Sequence, residues 1–275
     1  MKLHRKRAFV TGAASGLGAA ICMELAKDGW TIGMCDNRDK PLRAKMKEVD
    51  AAGGTALRHM FDVTDRAAYQ KGVKTFIHDA GGIDLLVNNA GVAGGGFVGD
   101  YLLDDWEWLL NINLMGVVNG CHYFVPYMKE QRFGHVLNVA SAAALAPVSR
   151  MAAYCTAKAG VRMLSEVLYN ELYDYGVGVS VLMPECFRTN LHERTRGQVA
   201  ETGKWLLENA PYTAEQVAVA ALQGVERNQL HIFFPRNVRL WWWFSRLAPK
   251  PFIDFIRREG EKRYKNAEFG MRNAE

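Results

Sequence analysis

Apolar residues in this chain follow two alternating patterns. Short, nearly continuous runs occur at Ala8 to Val10, Thr31 to Cys35, Ala56 to Phe61, Ile83 to Val87, His135 to Ala140, Gly178 to Met183 and His231 to Phe234. Their length and continuity are those of strands covered on both faces. Between them lie longer stretches with helical spacing, at about 16–28, 40–52, 66–80, 104–130 and 153–175. A further helix is predicted over 213–227, opened by Thr213 with Gln216 three residues on, the spacing of a capping box. Strand and helix in strict alternation predict an α/β fold, a doubly wound, seven-stranded and mostly parallel sheet with helices on both faces. After Pro184 the pattern loosens, and residues 186–210 read as short helices on an excursion from the sheet. One domain is expected over 1–235, with 236–275 as an extension packed on it or at an interface.

Composition narrows the class. Of 275 residues, 49% are hydrophobic and 23% charged, ordinary values for a globular protein and unlike those of disordered or fibrous chains. No apolar run reaches the ~18 residues of a spanning helix. Lys2, His4, Arg5, Lys6 and Arg7 precede an apolar stretch, as in an export signal, but the glycines that follow have another meaning, and no export is expected. The five cysteines are odd in number and include no C-x-x-C pair, which suits reduced thiols in a cytoplasmic protein. Neither they nor the seven histidines form a metal-ligand cluster, so no metal is expected. From Arg236 onward there are ten Lys and Arg against five Asp and Glu, which accounts for the whole net charge of +5.

The first strand runs into Thr11-Gly12-Ala13-Ala14-Ser15-Gly16-Leu17-Gly18, and a helix follows. Glycines here let the backbone approach a pyrophosphate, and the helix N-terminus offers free N–H groups and partial positive charge. The fold is therefore expected to be of the Rossmann type. Asp36, at the end of the second strand, suits the adenosine ribose hydroxyls and repels a 2′-phosphate. Arg38 argues the other way. With Ser15 rather than a basic residue inside the loop, NAD is favoured over NADP.

Further motifs follow in a recognisable order: Asp62-Val63 after the third strand, Asn88-Asn89-Ala90-Gly91 after the fourth, Asn113 in a helix, Ser141 after the fifth, and Tyr154-Cys155-Thr156-Ala157-Lys158. As a set, over residues from about 7 to 235, they resemble the classical short-chain dehydrogenase/reductase family. The resemblance implies hydride exchange between a nicotinamide cofactor and a secondary alcohol or ketone. It implies a catalytic tetrad of Asn113, Ser141, Tyr154 and Lys158, with Tyr154 as general acid or base, Ser141 donating to the substrate oxygen and Asn113 holding a water that leads from Lys158 to solvent. Cofactor contacts are implied for Gly12, Ser15, Gly16, Leu17, Gly18, Asp36, Arg38, Asp62, Val63, Asn89, Ala90, Gly91, Tyr154, Lys158, Pro184 and Thr189. The chemistry is consistent: Tyr and Lys at i and i+4 share a helix face, and a nearby ammonium lowers a phenol's pKa. One departure is Glu185, where the family usually has glycine. It is expected to pair with Arg188, to favour the oxidised cofactor or simply to face solvent.

The residues around the reaction centre are apolar: Ala142, Ala143, Ala144, Leu145, Pro147, Val148 and Met151, with Phe187, Leu191, Trp205, Leu206 and Leu207 from the excursion and Gly94-Gly95-Gly96-Phe97 as a flexible rim. Ala142, Ala143, Val148, Phe187 and His192 are the expected substrate contacts, and a bulky hydrophobic alcohol or ketone (steroid, terpenoid, aromatic or long-chain) is the expected substrate. The tail, with Trp241-Trp242-Trp243-Phe244 and basic residues, reads either as cover for the pocket or an intersubunit seam, the favoured reading, or as an interfacial helix on anionic lipid. Family members commonly form dimers or tetramers through the helices at 104–130 and 153–175, where Leu102, Leu109, Val117 and Leu168 are candidates. No nucleic-acid module is recognisable. The competing functions are an NADPH-dependent ketoreductase, an epimerase of the extended family, and a non-catalytic dinucleotide sensor; the retained Tyr/Lys pair weighs against the last.

Overall fold

The computed structural model describes Leu3 and residues 5–272, the side chains of 268–272 excepted; Lys2 and His4 of the basic N-terminus lie outside the described residues. Nine strands are assigned: β1 (Arg7–Thr11), β2 (Thr31–Asp36), β3 (Thr55–Met60), β4 (Leu85–Asn88), β5 (Gly94–Gly95), β6 (Gly134–Val139), β7 (Val177–Pro184), β8 (Arg196–Gly197) and β9 (His231–Phe234). Seven form one sheet in the order β3-β2-β1-β4-β6-β7-β9, and every pairing in it is parallel. The two-residue strands β5 and β8 pair apart from it.

The described residues form ten α-helices, the last two of them after the final strand. Six of them cover the sheet. α1 (Gly16–Lys27), α2 (Asp39–Ala51) and α8 (Ala214–Glu226) bury Ile21, Leu25, Leu42, Val217 and Val225 against one face. α3 (Arg66–Ala80), α5 (Gly116–Gln131) and α6 (Ala152–Leu172) bury Tyr69, Phe76, Phe124, Val161 and Leu172 on the other. The capping box read at Thr213 and Gln216 is present in both halves. The stretch expected as one helix from Asp104 to Glu130 is instead α4 (Leu103–Leu110), a π turn over Asn111–Met115 and α5. A π turn is invisible to 3.6-residue periodicity and is found mostly at functional sites. Here it carries Asn113.

The chain order reverses between β1 and β4, which opens a crevice at the carboxyl ends of these strands. The excursion beyond β7 holds a 3₁₀ turn at Asn190–Arg194 and α7 (Ala200–Glu208). After β9 come α9 (Val238–Leu247) and α10 (Pro249–Arg272), whose Phe252 and Ile256 are buried against Ala146 beside Val148 and Trp241. Leu109, Val117 and Leu168, read as interface candidates, are core residues; of that set only Leu102 is exposed. Periodicity identifies the apolar side of a helix but not what covers it.

Two histidines are buried in neutral form. His59 lies between Phe9 and Phe76, and its Nε2 is among the buried atoms with no partner among the described residues. His135 reaches Ser180 at 2.8 Å, and Ser180 donates onward to Gln229. Burial lowers their pKa values to about 4 and about 3 from an unfolded value of 6.5. Below pH 6.5 the unfolded chain therefore binds protons that the folded chain refuses. Stability present above pH 6.5 is expected to drain away as pH falls towards 4, by about 1.4 kcal/mol per pH unit per histidine. Urea midpoints between pH 7 and 4 measure this, and His59→Leu should flatten the dependence by about one proton. An unchanged slope would reject the assignment for His59.

Candidate active site

A cavity of about 410 Å³ lies in the crevice and is lined along its length by the loops that follow β1, β2, β3, β4, β6 and β7. At one end is the glycine loop. Gly12 has φ +68°, and a Cβ there would stand 2.9 Å from Asn89 Nδ2. A Cβ on Gly18 would meet the Gly12 carbonyl oxygen at 2.2 Å, so the loop can lie this flat only with hydrogen at both positions. Thr11 Oγ1 accepts from the N–H groups of Asn89 and Ala90 at 3.0 Å, tying this turn to the loop after β4. Gly12, Ser15, Gly16 and Leu17 line the cavity, while Gly18 is buried behind them, packing the turn rather than facing the cavity. Thr189 comes back over the loop: a Cβ on Gly16 would sit 2.6 Å from its Oγ1.

Asp36 ends β2 with 7% exposure. Its carboxylate accepts from the Ala14 N–H at 3.2 Å and from Arg38 Nε at 3.0 Å, and Arg38 also donates to Ser15 Oγ at 2.8 Å. Glu193 lies 3.7 Å from the same guanidinium. Asp62 accepts from Asn37 Nδ2 at 2.7 Å and from the Thr64 N–H at 2.9 Å. Burial pushes its pKa up, but these hydrogen bonds outweigh it and hold the carboxyl below its usual value. This end of the cavity therefore carries Asp36, Asp62 and Glu193 against Arg38 and Arg194. Nothing in the local pattern singled out Glu193, which comes from the excursion.

At the other end Ser141, Tyr154 and Lys158 line the same wall. Ser141 follows β6 and Tyr154 and Lys158 lie one turn apart on α6. Lys158 is 5% exposed, its Nζ 5.7 Å from the Tyr154 ring centroid and donating to the Val139 carbonyl at 2.9 Å. Burial pushes the Tyr154 phenol well above its ordinary value, with Ser141 offsetting part of the rise, and pushes Lys158 down to about 8. Desolvation disfavours charge on both groups, and at the phenol it outweighs the hydrogen bond with Ser141. Asn113 is fully buried behind the cavity wall and is not among its lining residues. Its amide accepts from the Val92 N–H and donates to the Val92 carbonyl, both at 2.8 Å, and so braces the backbone beside Gly91.

Asp62, Val63, Asn89, Ala90, Gly91, Pro184, Ala142, Ala143, Val148 and Phe187 all line the cavity, and His192 does not. Its ring stays 3.2 Å from the Thr189 carbonyl oxygen and 3.9 Å from Glu208, within the excursion itself. Trp205 is likewise absent from the lining, although Leu206 and Leu207 belong to it. The supposed flexible rim is buried at Gly94, Gly95 and Gly96: β5 pairs with β8, and a Cβ on Gly94 or Gly95 would run into the Tyr101 hydroxyl or the Arg150 carbonyl oxygen. Glu185 does not pair with Arg188. Its carboxylate accepts from Arg263 of α10 at 2.6 Å, joining the tail to the loop after β7. Trp241, Phe255, Ile256 and Tyr264 of the tail complete the cavity. Only the i, i+4 pair Phe252 and Ile256 could have signalled this docking.

Fold and glycine cradle together define an α/β protein with the frame of a dinucleotide-binding fold. A family model described as short chain dehydrogenase matches residues 6–200. The chain belongs to the short-chain dehydrogenase family, whose members are NAD(P)-dependent oxidoreductases acting on CH–OH groups. It is 36% identical over 208 residues to the probable oxidoreductase EphD of Mycobacterium tuberculosis, a match that covers 75% of this chain and 33% of that protein. The chain thus spans about a third of that relative. Among solved structures, a short-chain dehydrogenase/reductase from Burkholderia phymatum in complex with NAD superposes with TM-score 0.83 at 28% identity, covering 92% of this chain and 95% of that one. A short-chain dehydrogenase from Sphingobium yanoikuyae in complex with NADPH gives TM-score 0.77 at 25% identity, covering 91% and 96%. Among the described residues, no helix is long and apolar enough to cross a membrane, and no group of metal-ligating side chains is found.

Proposed function

We propose that the protein interconverts a bulky hydrophobic secondary alcohol and its ketone, with NAD as the preferred cofactor. The observation that carries this reading is one continuous cavity with the glycine cradle at one end, Ser141, Tyr154 and Lys158 along its wall, and an apolar chamber beyond them. Gly12, Ser15, Gly16 and the start of α1 would hold the pyrophosphate, Asp62 and Val63 the adenine, Thr189 and Lys158 the nicotinamide half. When bound, the cofactor supplies a hydride-exchanging carbon and, oxidised, a positive charge. Tyr154 takes the proton from the substrate hydroxyl in oxidation and returns it in reduction. Ser141 donates a hydrogen bond to the same oxygen. Lys158, positively charged below about pH 8, favours the phenolate and so narrows the gap that burial opens. Ala142, Ala143, Val148, Phe187, Leu207, Phe255 and Ile256 form walls that reward apolar bulk over charge. Incubating the protein with NAD⁺ and a series of secondary alcohols of rising apolar size, read at the NADH absorbance, tests the reading. No turnover of any of them with either nucleotide would reject it.

The cofactor preference rests on charge. Arg38 is already neutralised by Asp36 and approached by Glu193, so a 2′-phosphate dianion meets more carboxylate than guanidinium. In Asp36→Ala, Arg38 and Ser15 are left to bind that phosphate. The ratio of kcat/KM for NADP⁺ to that for NAD⁺ is expected to rise by about 10- to 100-fold, the worth of one or two charge-assisted hydrogen bonds. An unchanged ratio would remove Asp36 from the selection.

A further inference from the structure

α9 carries two faces at helical spacing. Val238, Trp241, Trp242 and Ser245 turn inward, with Trp242 packed on His231 at 4.6 Å and the Arg246 guanidinium 3.9 Å from the Trp242 ring centroid. Leu240, Trp243, Phe244 and Leu247, at i, i+3, i+4 and i+7, turn outward with 67%, 51%, 37% and 79% exposure. A contiguous exposed stripe of this kind marks an interaction surface, unlike single exposed apolar residues.

The stripe does not end at α9. Phe244 meets Phe255 of α10, ring centroids 6.1 Å apart, and Phe255 both lines the cavity and is 39% exposed. Ile253 adds a further half-exposed apolar side chain. One apolar surface therefore leads from the outside of the tail to the chamber.

Charge identifies the partner. Between Arg236 and Arg258 stand six basic residues and a single carboxylate, Asp254. Arg236, Arg239, Lys250 and Arg258 are exposed, and none has an ion-pair partner among the described residues. A second copy of this face would set like charges against each other, whereas an anionic surface would complement them. Leu, Trp and Phe on one side of a helix with Arg and Lys around them are what an interfacial helix presents to headgroups and acyl chains. We propose that the outer face of α9, continued by Phe255, is a docking surface for an anionic phospholipid bilayer and seats the cavity mouth against the lipid. Docking does not depend on the nature of the substrate; delivery of an apolar substrate out of the lipid does, and it rests on the hydrophobic-substrate reading.

The test uses the full chain with vesicles of phosphatidylcholine, with and without phosphatidylserine, at low and high salt. Sedimentation with the anionic vesicles, weakened by salt, is expected. Trp243→Ser with Leu247→Ser, and separately Arg239→Glu with Lys250→Glu, should each weaken it about tenfold or more at unchanged circular dichroism and melting temperature. Tryptophan quenching of the unaltered chain by brominated lipid is expected as well and does not depend on any variant folding. Absence of binding to anionic vesicles overturns the proposal, as does binding that the apolar pair leaves untouched, which would mean charge without insertion. A dimer in sedimentation velocity that Trp243→Ser with Leu247→Ser dissociates would assign the stripe to a second copy and overturn it equally. None of these results bears on turnover of a dissolved alcohol, so failure here and failure of the proposed reaction are separate.

Discussion

Tyr154→Phe is expected to lower kcat by about 10²- to 10⁴-fold, the usual worth of a positioned general acid or base, while dinucleotide affinity stays within about threefold. The substitution removes one oxygen and leaves the ring that packs beside Leu109, Ala153 and Ala157, so the fold has no reason to change. The proton that the substrate hydroxyl must lose then has no acceptor at that point. Ser141, an alcohol hydroxyl and so a far weaker acid than a phenol, is no replacement. Steady-state kinetics, with cofactor titration by fluorescence and a thermal melt as controls, measures the effect. Turnover retained within tenfold in a folded protein would take Tyr154 out of the reaction.

The second large effect lies far from the chemistry. Arg7 and Asp84 form a buried pair with side-chain exposures of 8% and 0%. Asp84 accepts from Arg7 Nη2 at 2.7 Å, from Nε at 3.1 Å and from the Arg7 backbone N–H at 2.9 Å, and Arg7 Nη1 donates to the Gly81 carbonyl. Asp84→Ala leaves a guanidinium buried without its counter-charge. The expected cost is about 3–5 kcal/mol, a large part of the stability of an ordinary domain. Replacing both partners, Arg7→Met with Asp84→Leu, should recover more than half of that, because the penalty belongs to the stranded charge rather than to the lost pair. Urea unfolding with a common slope gives both numbers. A loss below about 1 kcal/mol for Asp84→Ala would show that Arg7 finds water instead.

Most of the fold was legible because its signals are local. The run Ala8 to Val10, the helix over 66–80 and the capping box at Thr213 depend on residues a few positions apart. The cradle was legible for the same reason: Gly12, Ser15, Gly16 and Leu17 sit on a single turn, and strand, turn and helix place them at the crevice together. Tyr154 and Lys158 share a face by helical spacing alone. Gly18 belonged to the same motif yet serves packing, and only the approach of the Gly12 carbonyl reveals it.

What the local signals left open is decided by contacts between distant segments. Glu185 could have taken Arg188, three positions away, but is held by Arg263, which reaches it only because α10 folds back over the loop after β7. Phe255 and Ile256 join the chamber for the same reason. His192 was near the right place in the chain, yet the excursion turns its ring inward on Thr189 and Glu208. Leu109, Val117 and Leu168 have the spacing of an interface, and the protomer itself covers them.

By itself the amino-acid sequence determined the alternation of strands and helices, the parallel sheet they must form, and the chemistry of the groups that end its strands, because each is written in neighbouring residues. Tertiary structure alone decided which groups lose water and which segments meet. Desolvation and long-range pairing are properties of the assembled volume, so the raised phenol of Tyr154, the lowered ammonium of Lys158 and the tail's place over the chamber exist only once the chain has closed on itself.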